Sequence, residues 1–294
     1  MCSRRNWLPR ALCAGLPFLL SACQPALLDP RGPVGRAEKI ILIDSLAIML
    51  AIVVPTIVAT LAFAWWFRAS NTKARYRPEW AFSGQIELVV WSIPVLVVLL
   101  LSGVTWIGSH QLDPAQPITA NHEPLEIQVV SLDWKWLFIY PGQQVAAVNQ
   151  LVVPAGVPLH FTLTSASVLN TFFVPQLGSM IYTMNGMSTE LWLHADEPGT
   201  YLGRSAHFSG DGFSDMQFEV KAVAPAEFTA WVGTARGGGR TLDTPSYHAL
   251  MAQSIADKPS TYAAVEDGLY RKIVQQGVPP GPGPALEHAG TREK

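Results

Sequence analysis

The sequence predicts a membrane-anchored α+β protein built from a two-helix transmembrane hairpin, a Greek-key β-sandwich and a C-terminal helical segment. Three observations predict it. Two long uncharged runs lie in the first third of the chain, a stretch of period-two alternation broken by turn residues follows, and helical spacing returns after Ala224. The composition agrees, since 49% hydrophobic against 14% charged residues over 294 positions is poor in charge for a soluble protein. A formal net charge of -2 excludes nucleic-acid binding as a main role, because that role needs a concentrated basic surface to neutralise phosphates.

The chain opens with Arg4, Arg5 and Arg10 and continues into an apolar stretch, Ala11 to Leu20. That stretch is too short to span a bilayer and fits an export signal. It ends in Leu20-Ser21-Ala22-Cys23, which resembles the bacterial lipobox, so residues 1–22 are expected to be removed and Cys23 acylated. All three cysteines, Cys2, Cys13 and Cys23, lie at this end. The body of the chain therefore has no sulfur for a disulfide or a thiolate metal site.

Ser45 to Phe67 and Leu88 to Gly108 carry no charge. Each exceeds or matches the about 20 residues that cross a hydrocarbon core of about 30 Å. The helices are expected at 41–67 and 86–108, within a membrane unit of residues 23–110. Between them lie Arg68, Lys73, Arg75 and Arg77 against Glu79 and Glu87, while Asp113, Glu123 and Glu126 follow the second run. The positive-inside tendency makes the connecting loop cytoplasmic and everything after His110 periplasmic. Glu87 then stands at the cytoplasmic entrance of the second helix. On position alone it reads as an interfacial carboxylate that reaches water, or as a group that takes protons from the bulk and passes them inward.

From Leu125 the pattern changes to short alternating segments: Leu125, Ile127 and Val129, then Leu159, Phe161 and Leu163, then Leu191 and Leu193, then Met216, Phe218 and Val220. Period two means strands with one buried face. Pro141-Gly142, Pro154-Ala155-Gly156 and Glu197-Pro198-Gly199 separate them as turns. Residues 111–224 are therefore expected to form a sandwich of two sheets. Over 225–278 helices are expected at Pro225–Ala235, Tyr247–Ala256 and Tyr262–Gln276, with Pro225 suited to a first helical position and Gly237-Gly238-Gly239 between the first two. Residues 279–294 are rich in proline and glycine and read as an unstructured tail.

Two helices followed by a sandwich that opens on Val130-Ser131-Leu132-Asp133-Trp134-Lys135-Trp136 resemble subunit II of the haem-copper oxidases along the whole chain. The likeness is strongest to the bo-type ubiquinol oxidase branch. It is carried by the lipobox, Asn71-Thr72-Lys73-Ala74-Arg75-Tyr76, Asp133 to Pro141, Thr171-Phe172-Phe173-Val174-Pro175 and the loop Ser205 to Met216. The resemblance implies a cupredoxin-like sandwich. It also implies a complex that oxidises ubiquinol, reduces oxygen to water and pumps protons, with haems and one copper in subunit I. This chain would bind no cofactor itself, and its partners would be subunit I, further membrane subunits and the bilayer.

Cytochrome c oxidases of this family hold two copper ions in the sandwich with two cysteines, two histidines, a methionine and a carbonyl. The resemblance carries the cysteine positions onto Ser205 and Ser209, the histidine positions onto Asn170 and Phe213, and the methionine position onto Met216. Neutral hydroxyls cannot replace bridging thiolates, and a phenyl ring cannot ligate. His207, alone in this loop, reads as a surface residue. Met180, Met184, Met187 and Met216 could suit copper(I) but read more simply as core fillers. Trp134 and Trp136 read as core and interface residues. Glu87 matches the glutamate that the family places at the mouth of the K-type proton channel. Two rival readings remain: subunit II of a cytochrome c oxidase, which the missing thiolates oppose, and a free-standing cupredoxin-like binding lipoprotein, which the chain-long resemblance opposes.

Overall fold

A computed structural model describes residues 26–75, 77–120, 122–281 and 283. Cys23 and residues 284–294 lie outside the described residues, so the expected lipidation and most of the expected tail do too. Two compact units divide the chain, one formed by 37–116 and the other by the stretches up to 36 and from 117 onward.

The first unit carries most of α1 (Pro33–Trp66) and all of α2 (Gly84–Gln111). At about 1.5 Å per residue both exceed a hydrocarbon core, and both are apolar enough to cross one. Their apolar side chains face outward, as expected of helices whose solvent is lipid or a partner. Both helices run past the uncharged stretches that predicted them. α1 begins at Pro33, whose missing N–H costs nothing in a first turn, and it takes in Arg36, Glu38 and Lys39 before the apolar run starts. Pro55 and Pro94 lie within the helices, a substitution that membrane helices tolerate.

The second unit contains β1 (Leu125–Leu132), β2 (Lys135–Tyr140), β3 (Val145–Val148), β4 (Gln150–Pro154), β5 (Pro158–Ser165), β6 (Asn170–Phe173), β7 (Ile181–Thr183), β8 (Thr189–His194), β9 (Gly199–Ser205) and β10 (Gln217–Val223). After them come α3 (Pro225–Arg236), β11 (Thr241–Leu242), α4 (Thr244–Met251), β12 (Ser260–Tyr262), β13 (Ala264–Val265) and α5 (Leu269–Val274). One sheet runs β12-β3-β2-β1-β5-β8 and the other β4-β10-β9-β6-β7. β1 lies parallel to β5 with Ile127 opposite Phe161, a pairing that the intervening β2 to β4 make possible by supplying the crossover. The chain changes sheets between β3 and β4 at Asn149, whose φ of 55° is left-handed and accessible to asparagine.

Between the sheets the aromatic rings of Trp136, Phe138, Phe172 and Phe218 meet at centroid distances from 5.1 to 6.4 Å. Such contacts add to the burial of their area. Leu125, Ile127, Val129, Leu159, Phe161, Leu163, Leu191, Leu193, Met216, Phe218 and Val220 all join this core, as the alternation predicts. The six-stranded sheet is covered on its other face as well. There Val130, Leu132, Leu137 and Ile139 pack against Tyr247, Leu269 and Ile273 of the C-terminal segment. A strand buried on both faces cannot alternate, and β2 is buried at every position.

That covering segment is less helical than the spacing predicts. α3 ends as expected at the glycines, where Gly237 N–H donates to Gly233 O. The second helix starts earlier than Tyr247, because Asp243 caps it by accepting from Ser246 N–H at 2.9 Å. It stops at Met251 rather than Ala256, since the following carbonyl of Ala252 accepts a hydrogen bond from the buried Lys135. Tyr262, expected to open a helix, instead ends β12, which extends the free edge of β3, and the helix forms only at Leu269–Val274. The start of the glycine-rich tail is also tied down, with Gly281 N–H donating to Ala166 O at 2.8 Å.

Residues 29–36 belong to the same unit as the sandwich. Arg31 N–H donates to Gln176 O at 2.7 Å, and its guanidinium pairs with Asp29 at 2.9 Å and Glu197 at 3.3 Å, while Arg36 pairs with Asp196. The ion pair with Asp29, first by hydrogen bond and then by charge, raises the Arg31 pKa.

Candidate functional site

The loop between β9 and β10, together with the first residue of β6, holds the positions onto which the resemblance carries the copper ligands. β6 begins at Asn170 and β9 ends at Ser205, and these strands pair antiparallel with Phe172 opposite Ser205. The register brings Ser205 Oγ to 3.3 Å from Asn170 Oδ1, to which it donates. The backbone N–H of Ser205 donates to Met216 O at 3.0 Å, which closes the base of the loop, and the Met216 side chain is fully buried. Ser209 is held by its backbone, whose carbonyl accepts from Trp134 Nε1 at 3.1 Å. Its hydroxyl is buried without a hydrogen-bond partner among the described residues. Phe213 meets the exposed Phe208 edge to face, with centroids 5.6 Å apart. His207 is half-buried beside Tyr182.

Asn170, Ser205 and Met216 are thus tied into one hydrogen-bonded cluster, Ser209 sits over Trp134, and Phe213 is engaged with another phenyl ring. The donor chemistry decides what this loop can hold. Two neutral hydroxyls, a carboxamide and a phenyl ring stand where soft anionic sulfur and imidazole would be required, and one thioether cannot compensate. The residues present do not fit a dinuclear copper centre. The other methionines depart from expectation: Met180 and Met187 are 54% and 52% exposed, because they flank the short edge strand β7, which no further strand covers. Only Met216 of the four is fully buried.

Trp134 organises the loop. It adopts φ 64°, a costly conformation for a bulky residue, and its indole lies against Gly212, where an added Cβ would come within 2.4 Å of the ring. Gly212→Ala is therefore expected to push the loop off the indole and to destabilise the sandwich by about 1–3 kcal/mol, the usual cost of overpacking. Thermal unfolding of the purified protein checks this, and an unchanged transition would mean that the ring moves aside without cost.

Sequence reasoning missed the polar anchors beneath this motif. Lys135 is only 2% exposed and donates to Ala252 O at 2.7 Å, Ser254 Oγ at 2.5 Å and Asp257 Oδ2 at 3.2 Å. Asp133 accepts from Ser167 and from Gln253 Nε2. Asn149 accepts from Trp136 N–H and donates to Asp257 O, both at 2.9 Å. The available signal was two charges within a run of tryptophans and aliphatic residues, where charge is buried only if paired.

Glu87 belongs to the helical unit, in the first turn of α2, where the helix dipole favours a carboxylate. It is exposed, and no hydrogen bond or ion pair among the described residues occupies its carboxylate.

Residues 122–223 match the family described as cytochrome c oxidase subunit II, periplasmic domain, and residues 236–281 match the COX aromatic rich motif. The periplasmic domain of subunit II of cytochrome oxidase from Bradyrhizobium japonicum is similar over 42% of this chain and 98% of its own, at 24% identity and a TM-score of 0.39. Fold and family match together define a membrane-anchored, cupredoxin-like second subunit of the haem-copper oxidase type, whose loop between β9 and β10 contains no cysteine. Ubiquinol oxidase subunit 2 of Acetobacter aceti is 49% identical over 260 residues, 87% of this chain and 84% of that one. Cytochrome bo(3) ubiquinol oxidase subunit 2 of Pseudomonas aeruginosa is 44% identical over 257 residues, 87% and 78% of the two chains. This chain belongs to the ubiquinol oxidase subunit 2 family, as the resemblance in its sequence implied.

Proposed function

We propose that the chain serves as the copper-free second subunit of a proton-pumping oxidase that takes electrons from ubiquinol and reduces oxygen to water. The single observation that carries this reading is a sandwich with its loop intact and its copper donors replaced. A water-soluble donor needs a metal relay in the exported domain, whereas a lipid-soluble quinol reaches a site among membrane helices directly. The chain's own work is then structural and protonic. α1 and α2 present unburied apolar surface for subunit I, which holds the haems and the remaining copper. Glu87 takes protons at the cytoplasmic boundary. The loop with Arg68, Lys73, Arg75 and Arg77 faces the cytoplasm and the sandwich faces the periplasm of the inner membrane.

Purification through a tag on this chain tests the reading. A multi-helix haem protein should co-purify, and the complex should oxidise ubiquinol and not reduced cytochrome c. Turnover with cytochrome c alone, or the near-infrared absorption of a mixed-valence copper pair, would support the cytochrome c oxidase alternative instead. Recovery of this polypeptide without a haem partner would favour a free-standing binding lipoprotein.

Cys23 is proposed as the acylated mature N-terminus, an anchor secondary to two spanning helices at about 0.8 kcal/mol per buried methylene. Mass spectrometry of the mature protein should find its first residue to be a lipid-modified cysteine, and an unmodified residue other than cysteine there would refute the assignment.

A further inference from the structure

A cleft of about 590 Å³ opens at the loop end of the helical unit, and Glu87 is not among the residues that line it. Arg68, Arg75 and Arg77 line it together with Phe67, Trp80 and Ile86. Arg68 is fixed in place: its guanidinium donates to Trp65 O and Ser70 Oγ, both at 3.0 Å, and lies 4.9 Å from the Trp65 ring centre. Asn71, also on the cleft wall, donates to Trp66 O at 2.5 Å and so shapes the turn that leaves α1. Among the described residues no hydrogen bond or ion pair occupies the guanidinium of Arg75 or Arg77. The carboxylates of the loop, Glu79 and Glu87, do not line the cleft. Three cations therefore face one space with no internal anion.

The apolar half of the lining matters equally. Phe67, Trp80 and Ile86 are all more than half exposed, Phe67 and Ile86 at helix ends and Trp80 in the loop between them. A soluble anion would gain nothing from them. Guanidinium forks match phosphate oxygens in pairs, and basic pockets between membrane helices on the cytoplasmic side suit acidic lipid headgroups. We infer that this cleft binds the headgroup of an anionic phospholipid, with its phosphodiester held by Arg68, Arg75 and Arg77 and its acyl chains lying along the outward apolar faces of α1 and α2. A zwitterionic headgroup fits less well, because its ammonium adds a positive charge that the three arginines repel. The cleft lies at headgroup depth if the helices span as proposed above.

Native mass spectrometry of the purified oxidase, delipidated and then exposed to phosphatidylglycerol or phosphatidylcholine, tests the inference. The wild-type complex should retain phosphatidylglycerol selectively, and inorganic phosphate should not displace it. Arg75→Gln with Arg77→Gln should weaken that retention about thirtyfold, from about fivefold per basic residue near an anionic lipid surface. Arg75→Lys with Arg77→Lys, which keeps the charge and loses the forks, should fall between and serves if the glutamine pair fails to assemble. Equal retention of the two lipids, no loss in either variant, or displacement by inorganic phosphate would overturn the site. So would loss of subunit I from both variants without any change in lipid binding, which would assign the arginines to a protein interface. A thiol reagent reaching Ser70→Cys only from the periplasmic side would overturn the topology and leave the lipid measurement standing.

Discussion

Glu87→Ala is expected to slow haem reduction in the assembled oxidase by at least about tenfold while leaving assembly intact. Positioned proton-transfer groups contribute about 10²- to 10⁴-fold. A smaller effect than that range is expected here because Glu87 stands at a water boundary, where bulk water partly replaces a lost carboxylate. The side chain is exposed in the first turn of α2 and unengaged among the described residues, so its removal breaks no contact that holds the helices. Glu87→Asp should keep most of the rate, since a carboxylate remains at the same turn. Stopped-flow reduction of the haems by a quinol checks both variants. A rate that survives the loss of the carboxylate unchanged would remove Glu87 from the proton path.

Asp257→Ala is expected to cost about 3 kcal/mol and to release the C-terminal segment from the six-stranded sheet. Removing one partner of a buried ion pair typically costs about 3–5 kcal/mol, because the other charge is stranded. The lower figure is appropriate because the Asp257 side chain is 36% exposed and Lys135 keeps its bonds to Ala252 and Ser254. Burial acts to raise the Asp257 pKa, but the hydrogen bonds from Ser254 and Lys135 and the charge of Lys135 outweigh it, and the net shift is downward. A carboxyl lowered in the folded state stabilises above its unfolded value and loses that contribution as pH falls through the folded one. The difference between wild type and variant should therefore be full at neutral pH and shrink below about pH 4. Thermal unfolding at the two pH values, with limited proteolysis of residues 252–281 as a local readout, measures it. Equal melting temperatures at neutral pH would show that Lys135 is not stranded.

Strand positions were legible because alternation is a local property. Leu159, Phe161 and Leu163 point inward whatever surrounds them, and the prolines and glycines between runs leave little freedom about where strands stop. The absence of cysteine from the loop Ser205 to Met216 was legible for a similar reason, since residue type is visible without coordinates. The C-terminal segment was read less well. Tyr262 has neighbours spaced like a helix, yet its backbone pairs with Ala146, because β3 offers an open edge that only the assembled sheet creates. Arg75 and Arg77 likewise appeared only as orientation signals or within a motif, and their convergence with Trp80 depends on how the loop turns.

The sequence by itself determined that two helices are long and apolar enough to span, that a two-sheet sandwich follows them, and that the sandwich contains no cysteine. These follow from residue type and short-range spacing, which fix hydrophobicity, period and ligand chemistry locally. The tertiary structure alone decided that the six-stranded sheet is buried on both faces, that Lys135 and Asp133 anchor the segment which covers it, and that Gly212 must leave room for Trp134. Each of these joins residues tens of positions apart. Their energies come from burial and from paired charge, which exist only once the chain has closed around them.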